Sequence, residues 1–139
     1  MRVTLSDEAL QLIARFEDVT GAVARDCLIE SDRVTFLVAP GEMADAIGPG
    51  GKAVNRAEDR LGKTVQLVED ADNPEAFVAN ALAPAAVYNV TISENDTRVA
   101  YVEVAEEDKG IAIGAGGRTI DVARTLAKRH YDIDDVVLT

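Results

Sequence analysis

Two short segments of the chain combine the residue types that could hold a phosphate. Ile47-Gly48-Pro49-Gly50-Gly51-Lys52 and Ile113-Gly114-Ala115-Gly116-Gly117-Arg118 each set glycines between two helix-forming stretches, with a cation following. In a helix interior, glycine is disfavoured by about 1 kcal/mol against alanine and proline by about 3 kcal/mol, so each segment interrupts the helical run. The helix that restarts offers unpaired N–H groups and a partial positive charge at its first turn. Glycines ahead of it remove the Cβ atoms that would keep a phosphate chain at a distance. Pro49 has no N–H but fixes φ, which preorganises the first loop. Lys52 and Arg118 stand where a cation can reach phosphate. Arg56 lies one turn beyond Lys52, and Arg124, Lys128 and Arg129 add charge to the second helix. The segment 48–63 carries four cations and two anions, and 114–130 four cations and one anion.

The competing reading is that both segments are only corners between helices. One copy would not decide the matter, since a single short glycine motif is common by chance. Two copies in register favour a shared task. Other phosphate loops fit poorly. A Walker motif needs glycine where Ala46 stands and Ser or Thr where Ala53 stands. A dinucleotide fingerprint should directly follow a strand, and here "GEMADAI" intervenes.

The elements that must position these loops form a repeat. Gly48 and Gly114 are 66 positions apart in a chain of 139. "DRVTFLV" (32–38) aligns with "TRVAYVEV" (97–104) at a spacing of 65, which sets Val34 opposite Val99 and Phe36 opposite Tyr101. That alignment requires one inserted residue before the second loop. The spacing predicts a helix over 6–18 with Leu5, Ala9, Leu12, Ile13 and Phe16 on one face, opened by Ser6, Asp7 and Glu8. Strands are expected over 22–30 and 33–39, with Val34, Phe36 and Val38 as the inward face of a half-buried strand. A short helix over 42–47, a helix over 51–61 ended by Gly62, and a strand over 64–69 complete the first half. In the second half, Asn73 and Pro74 open a helix to Leu82. Strands over 85–93 and 97–104, helices over 106–113 and 117–130, and the final strand "IDDVVL" follow. The last helix is expected to bury Ile120, Ala123 and Ala127, with Leu126 beside them and His130 as a partly buried residue at the helix end. Polar "EDADNPE" (69–75) marks the boundary.

Composition narrows the class. The apolar fraction is 47%, aromatics are only 4% and tryptophan is absent, so the core must come from Val, Ile, Leu and Ala. No apolar run reaches the roughly 20 residues of a membrane span, and the N-terminus does not read as a secretory signal. A soluble cytoplasmic protein is expected. One cysteine and one histidine argue against a disulfide or a structural zinc site. Cys27 is expected as a buried apolar residue, and Tyr88, Tyr101 and Tyr131 as packing residues. Glu106, Glu107 and Asp108 suit a helix start. No nucleophile–base pair is found, so no enzyme and no cofactor are expected. The formal charge of −11, with only four lysines, fits the protein of a salt-loving cytoplasm. In dilute buffer that charge should repel nucleic acid.

Two units of order helix, strand, strand, helix, GxxG, helix, strand resemble the KH RNA-binding domain in its type II, prokaryotic-style topology. The match rests on Gly48-Pro49-Gly50-Gly51 and Gly114-Ala115-Gly116-Gly117, each between two helices. A chain of two such units and little else resembles the short NusA-family transcription factors of archaea. The resemblance implies an α/β (α+β) chain of two KH domains, 1–70 and 71–139, each a small three-stranded sheet covered by helices. It implies single-stranded RNA as the partner, clamped about four nucleotides at a time, with Ile47 to Lys52, Arg56, Ile113 to Arg118 and Arg124 as contacts. It further implies a role in elongation, pausing or termination, with RNA polymerase or other transcription factors as further partners. Longer bacterial relatives add an S1 domain and a polymerase-binding domain for which this chain has no room, so the resemblance supports RNA contact more strongly than polymerase contact. Two other readings keep the fold: an RNA-binding factor in ribosome assembly or RNA turnover, and a protein–protein module that has lost RNA affinity.

Overall fold

The structure is a computed structural model that describes residues 3–139. The chain folds as two compact units, Thr4–Asp70 and Ala71–Thr139. The first unit holds α1 (Asp7–Thr20), β1 (Ala24–Ile29), β2 (Arg33–Val38), α2 (Met43–Ile47), α3 (Lys52–Leu61) and β3 (Thr64–Glu69). The second holds α4 (Pro74–Ala81), β4 (Val87–Glu94), β5 (Arg98–Val104), α5 (Lys109–Ile113), α6 (Arg118–Tyr131) and β6 (Asp135–Leu138). Each sheet has three strands, in order β1-β2-β3 and β4-β5-β6. The hairpin pair is antiparallel and the last strand joins parallel to the centre. A parallel partner needs a crossover, and α2–loop–α3 and α5–loop–α6 supply it. The glycine loops therefore sit inside the crossovers.

Local chemistry sets the ends. The Ser6 hydroxyl accepts the Ala9 N–H at 3.1 Å, and Asn73 Oδ1 accepts the Ala76 N–H at 2.8 Å. Both are side-chain N-caps. α1 runs two residues past the expected 18, to Gly21, whose left-handed φ of 76° closes it with an N–H bond to Glu17 O. Gly62 ends α3 in the same way. In the second unit Asp132 takes that left-handed position, at φ 54°, a conformation Asp tolerates better than most residues. The expected helix over 106–113 is split. Glu106–Asp108 form a 3₁₀ turn, and α5 begins only at Lys109.

The first core gathers Ile13, Phe16, Val34, Phe36, Val38, Ala57 and Val65. Phe16 and Phe36 stack with centroids 4.2 Å apart. In the second unit Phe77 stacks on Tyr131 at 5.0 Å, and the Tyr131 hydroxyl donates to Ala71 O at 2.8 Å. Cys27 is buried, as expected. Tyr88 and Tyr101 are not packing residues: they are 67% and 43% exposed. His130 is half-buried at the end of α6, as expected, and Val122 joins the buried face of that helix.

The strand register differs from the sequence alignment by one residue. Val34 pairs with Val65, and its counterpart is Ala100, which pairs with Val136. Phe36 therefore corresponds to Val102 rather than Tyr101. Ala100, Val102 and Val104 are buried while Tyr101 and Glu103 are exposed. A slip of one residue exchanges the two faces of a strand. With this register the two halves keep one spacing from the central strand through the glycine loop, and no insertion precedes the second loop. The extra length lies in the second hairpin, whose strands have 8 and 7 residues against 6 and 6. α6 is also longer than α3, 14 residues against 10. β2 is buried on both faces, with Thr35 and Leu37 at 1% and 0% exposure, where alternation alone predicts one buried face.

Candidate nucleic-acid interface

The two glycine loops have the same backbone path. Gly48 has φ 75°, ψ 167°, and Gly114 has φ 80°, ψ 169°. Gly50 and Gly116 lie at φ 62° and 63°. Gly51 and Gly117 lie at φ 81° and 80°, and Lys52 and Arg118 then begin the long helices. In each loop the third glycine donates its N–H to the carbonyl of the first at 3.0 Å. Nine of the ten glycines have positive φ, and these loops hold six of them, which is why side-chain-bearing residues fit here poorly.

The glycines have two distinct roles. A Cβ on Gly48 would lie 2.7 Å from the Ala53 backbone nitrogen, and one on Gly114 2.8 Å from Thr119 N. These positions are fixed by packing of the loop on its own helix. A Cβ on Gly50 or Gly116 would meet nothing within 4 Å. Their outer surface is open and bare, so a chain of phosphates can approach the backbone. Gly48→Ala is expected to clash with backbone and to lower the melting temperature. Gly50→Ala should add only the left-handed cost, about 1–2 kcal/mol. Thermal melts of the two variants check this ordering.

The flanking residues divide unequally. Ile47 and Ile113 precede the loops and are 41% and 42% exposed. Pro49, Gly50, Ala115 and Gly116 are exposed. Lys52 and Arg56 are exposed and make no ion pair among the described residues. Arg118 is half-buried at the start of α6. Arg124 is held elsewhere. Its Nε and Nη2 donate to Val136 O at 3.2 and 3.1 Å, and its guanidinium pairs with Asp135 at 3.0 Å and Asp121 at 3.7 Å. Lys128 Nζ lies 2.6 Å from Asp134 and 3.7 Å from Asp132. The hydrogen bond to Asp134 raises the Lys128 pKa. The same bond, then the Arg98 N–H, lowers that of Asp134.

The linear count of cations over 114–130 therefore overstates the second loop's field. Asp132, Asp134 and Asp135 lie outside that window but fold back onto its cations. At the first loop Lys52 and Arg56 remain exposed, while Lys63, at the far end of α3, donates to the Glu30 carbonyl at 3.1 Å. Sequence reasoning also missed Glu58, whose Oε2 accepts the Val65 N–H at 2.9 Å, and the Arg25–Asp70 pair at 2.9 Å, in which Asp70 is 5% exposed. A glutamate seven residues before a buried strand valine carries no recognisable signal. The described residues contain no cluster of three or more His, Cys, Asp or Glu arranged to hold a metal.

Three-stranded sheets with a parallel third strand, and a glycine loop inside each crossover, define the units as KH folds. Comparison with known proteins agrees. The profile of the NusA-like second KH domain matches residues 74–137. A "Probable transcription termination protein NusA" of Halococcus morrhuae is 65% identical over 99% of this chain and 99% of its own length. A protein of the same description from Halobacterium salinarum is 63% identical over the whole of both chains. The crystal structure of APE1850 superposes with a TM-score of 0.84 at 30% identity, covering 97% of this chain and 100% of that one. The chain belongs to the archaeal NusA family of KH-domain proteins.

Proposed function

We propose that the chain is a NusA-type transcription factor that binds single-stranded RNA through both glycine loops, and that it modulates elongation, pausing or termination by contacting the nascent transcript. Residues 1–70 and 71–139 act as its two KH domains. The observation that carries this reading is the matched pair of loops. Each presents a bare glycine backbone at the start of a helix of 10 or 14 residues, where N–H groups and the helix dipole favour an anion. Ile47 and Ile113 offer apolar surface to bases beside each loop. Lys52, Arg56 and Arg118 add cations, and Arg124 shapes the second site through the strand it holds. The archaeal relatives are named for transcription termination, which favours this process over ribosome assembly or RNA turnover. No helix among the described residues is long and apolar enough to cross a membrane.

The test is titration of a labelled pool of single-stranded RNA in molar KCl, followed by addition of the protein to a purified archaeal transcription reaction. Binding with a changed pause or termination pattern is expected. Binding with unaltered transcription would remove the transcriptional role, and no binding would remove the RNA reading.

Salt dependence follows from charge. With −11 net charge, repulsion among the acids acts over about 10 Å at 0.1 M salt but only about 3 Å at 1 M. The two relatives named above come from halophiles. Thermal melts should show the fold retained in molar KCl and weakened in dilute buffer. RNA affinity should persist in molar KCl, because loop packing and stacking do not depend on counterion release. Full stability in low salt would contradict this.

A further inference from the structure

Four strands lie at sheet edges: β1, β3, β4 and β6. The outward N–H and C=O groups of an edge strand are a template for pairing with another chain. Three of these edges carry a carboxylate on an outward N–H. On β1, Asp26 Oδ1 accepts the Cys27 N–H at 2.7 Å. On β3, Glu58 Oε2 accepts the Val65 N–H at 2.9 Å. On β6, Asp135 Oδ1 accepts the Val136 N–H at 2.8 Å, and Arg124 takes the carbonyl of the same residue.

β4 is the exception. Cys27 pairs with Phe36 and Val90 with Val102. Phe36 corresponds to Val102, so Val90 occupies the place of Cys27. An antiparallel ladder turns the N–H and C=O of every second residue outward, and the side-chain bond to the Cys27 N–H marks this place as one of them. Where the first unit has Asp26, the second has Asn89. Asn89 Nδ2 donates to the Thr91 hydroxyl at 3.1 Å, and among the described residues no side chain accepts the Val90 N–H. Asn89 and Thr91 are exposed, and Val90 and Ile92 are only half-buried. The strand also lacks charge. No Asp, Glu, Lys, Arg or His occurs from 76 to 93, in a chain whose residues are 28% charged. Charged side chains are a usual guard of an exposed edge, and β1 carries Arg25 and Asp26. Glu94, at the end of β4, is paired with Arg98 at 3.2 Å.

We propose that β4 is the contact between two copies of this chain, which pair antiparallel, edge to edge, about Thr91. A two-fold axis there sets Thr91 opposite itself, Val90 opposite Ile92 and Asn89 opposite Ser93. Opposed residues share a face, so Val90 and Ile92 extend the inner face of both sheets while Thr91 meets Thr91 outside. The bulge between Val87 and Asn89 bends the strand away and ends the pairing. The missing charge selects the occupant. Like charges directly opposed are destabilising, so a strand that meets its own copy must be neutral, whereas one built for a basic or acidic partner carries the complementary charge. Each copy bears −11, so the contact forms in salt that screens the rest of the surface.

Sedimentation equilibrium in molar KCl, without RNA, tests this. The apparent mass should rise with protein concentration from 14.8 kDa toward twice that value, and amide hydrogen exchange at Val90 should slow in parallel. Asn89→Asp restores the carboxylate that closes β1. It should weaken association at least about tenfold with an unchanged circular dichroism spectrum, whereas neutral Asn89→Thr should still pair. If Asn89→Asp does not fold, Thr91→Lys replaces it, with the same loss expected because two lysines would face each other. A monomer at every concentration would overturn the proposal and leave the edge to a strand of another protein. A dimer that keeps its affinity in the folded variant would overturn it too, by placing the contact elsewhere. Neither result bears on the RNA-binding reading.

Discussion

Replacing Pro49, Gly50, Ala115 and Gly116 by Asp is expected to weaken single-stranded RNA binding at least about 100-fold while leaving both units folded. Space is one reason for the expected fold. Nothing lies within 4 Å of a Cβ built on Gly50 or Gly116, and their φ near +62° is one that Asp adopts more readily than most residues. Pro49 and Ala115 begin their 3₁₀ turns, where an added carboxylate is favoured by the helix dipole. Charge and bulk together account for the binding loss. At about 4 Å, two like charges cost about 1 kcal/mol in bulk water and about 4 kcal/mol near a protein surface. Two carboxylates at each loop would face the phosphates directly, and their side chains would fill the surface that the glycines leave bare. A titration in molar KCl beside a circular dichroism spectrum checks both halves of the expectation.

Phe36→Ala is expected to be the most damaging single core change in the first unit. Phe36 is 0% exposed and stacks on Phe16 at 4.2 Å. Removing a buried phenylalanine costs about 3–5 kcal/mol. A unit of this size has few kcal/mol to lose. At about 4–8 °C for each kcal/mol, the melting temperature should fall by about 12 °C or more. The second unit supplies the control. The sequence alignment equates Phe36 with Tyr101, but the register equates it with buried Val102. Tyr101→Ala should therefore change stability by no more than about 0.5 kcal/mol, while Val102→Ala should be clearly destabilising. Equal losses for Phe36→Ala and Tyr101→Ala would contradict the register.

That pair of residues shows where the sequence stops being legible. Glycine loops, caps and helix faces are written locally. Ser6, Asn73 and Gly62 act within a turn of where they stand, and β3 begins and ends where the apolar alternation does. Strand register between halves is not local. The second hairpin grew, and "RVTF" and "RVAY" look alike at a spacing one residue short. Charge shows the same limit. Arg124 and Lys128 look largely free in a linear window, yet Asp135 and Asp134, which pair with them, follow the window in sequence and return to it only through the fold. Glu58 and Arg124 are unremarkable as letters. Only the parallel return of the last strand brings them to its edge.

The central claim is that the two glycine loops are where RNA lies. Amide chemical-shift mapping of the 14.8 kDa chain, titrated with single-stranded RNA in molar KCl, tests it most directly. The largest shifts should fall on Gly48, Gly50 to Lys52 and Gly114 to Arg118, with smaller ones along the first turns of α3 and α6. Saturable shifts that bypass both loops, for example at the exposed Tyr88 and Tyr101, would contradict it and leave the glycines as corners of the fold.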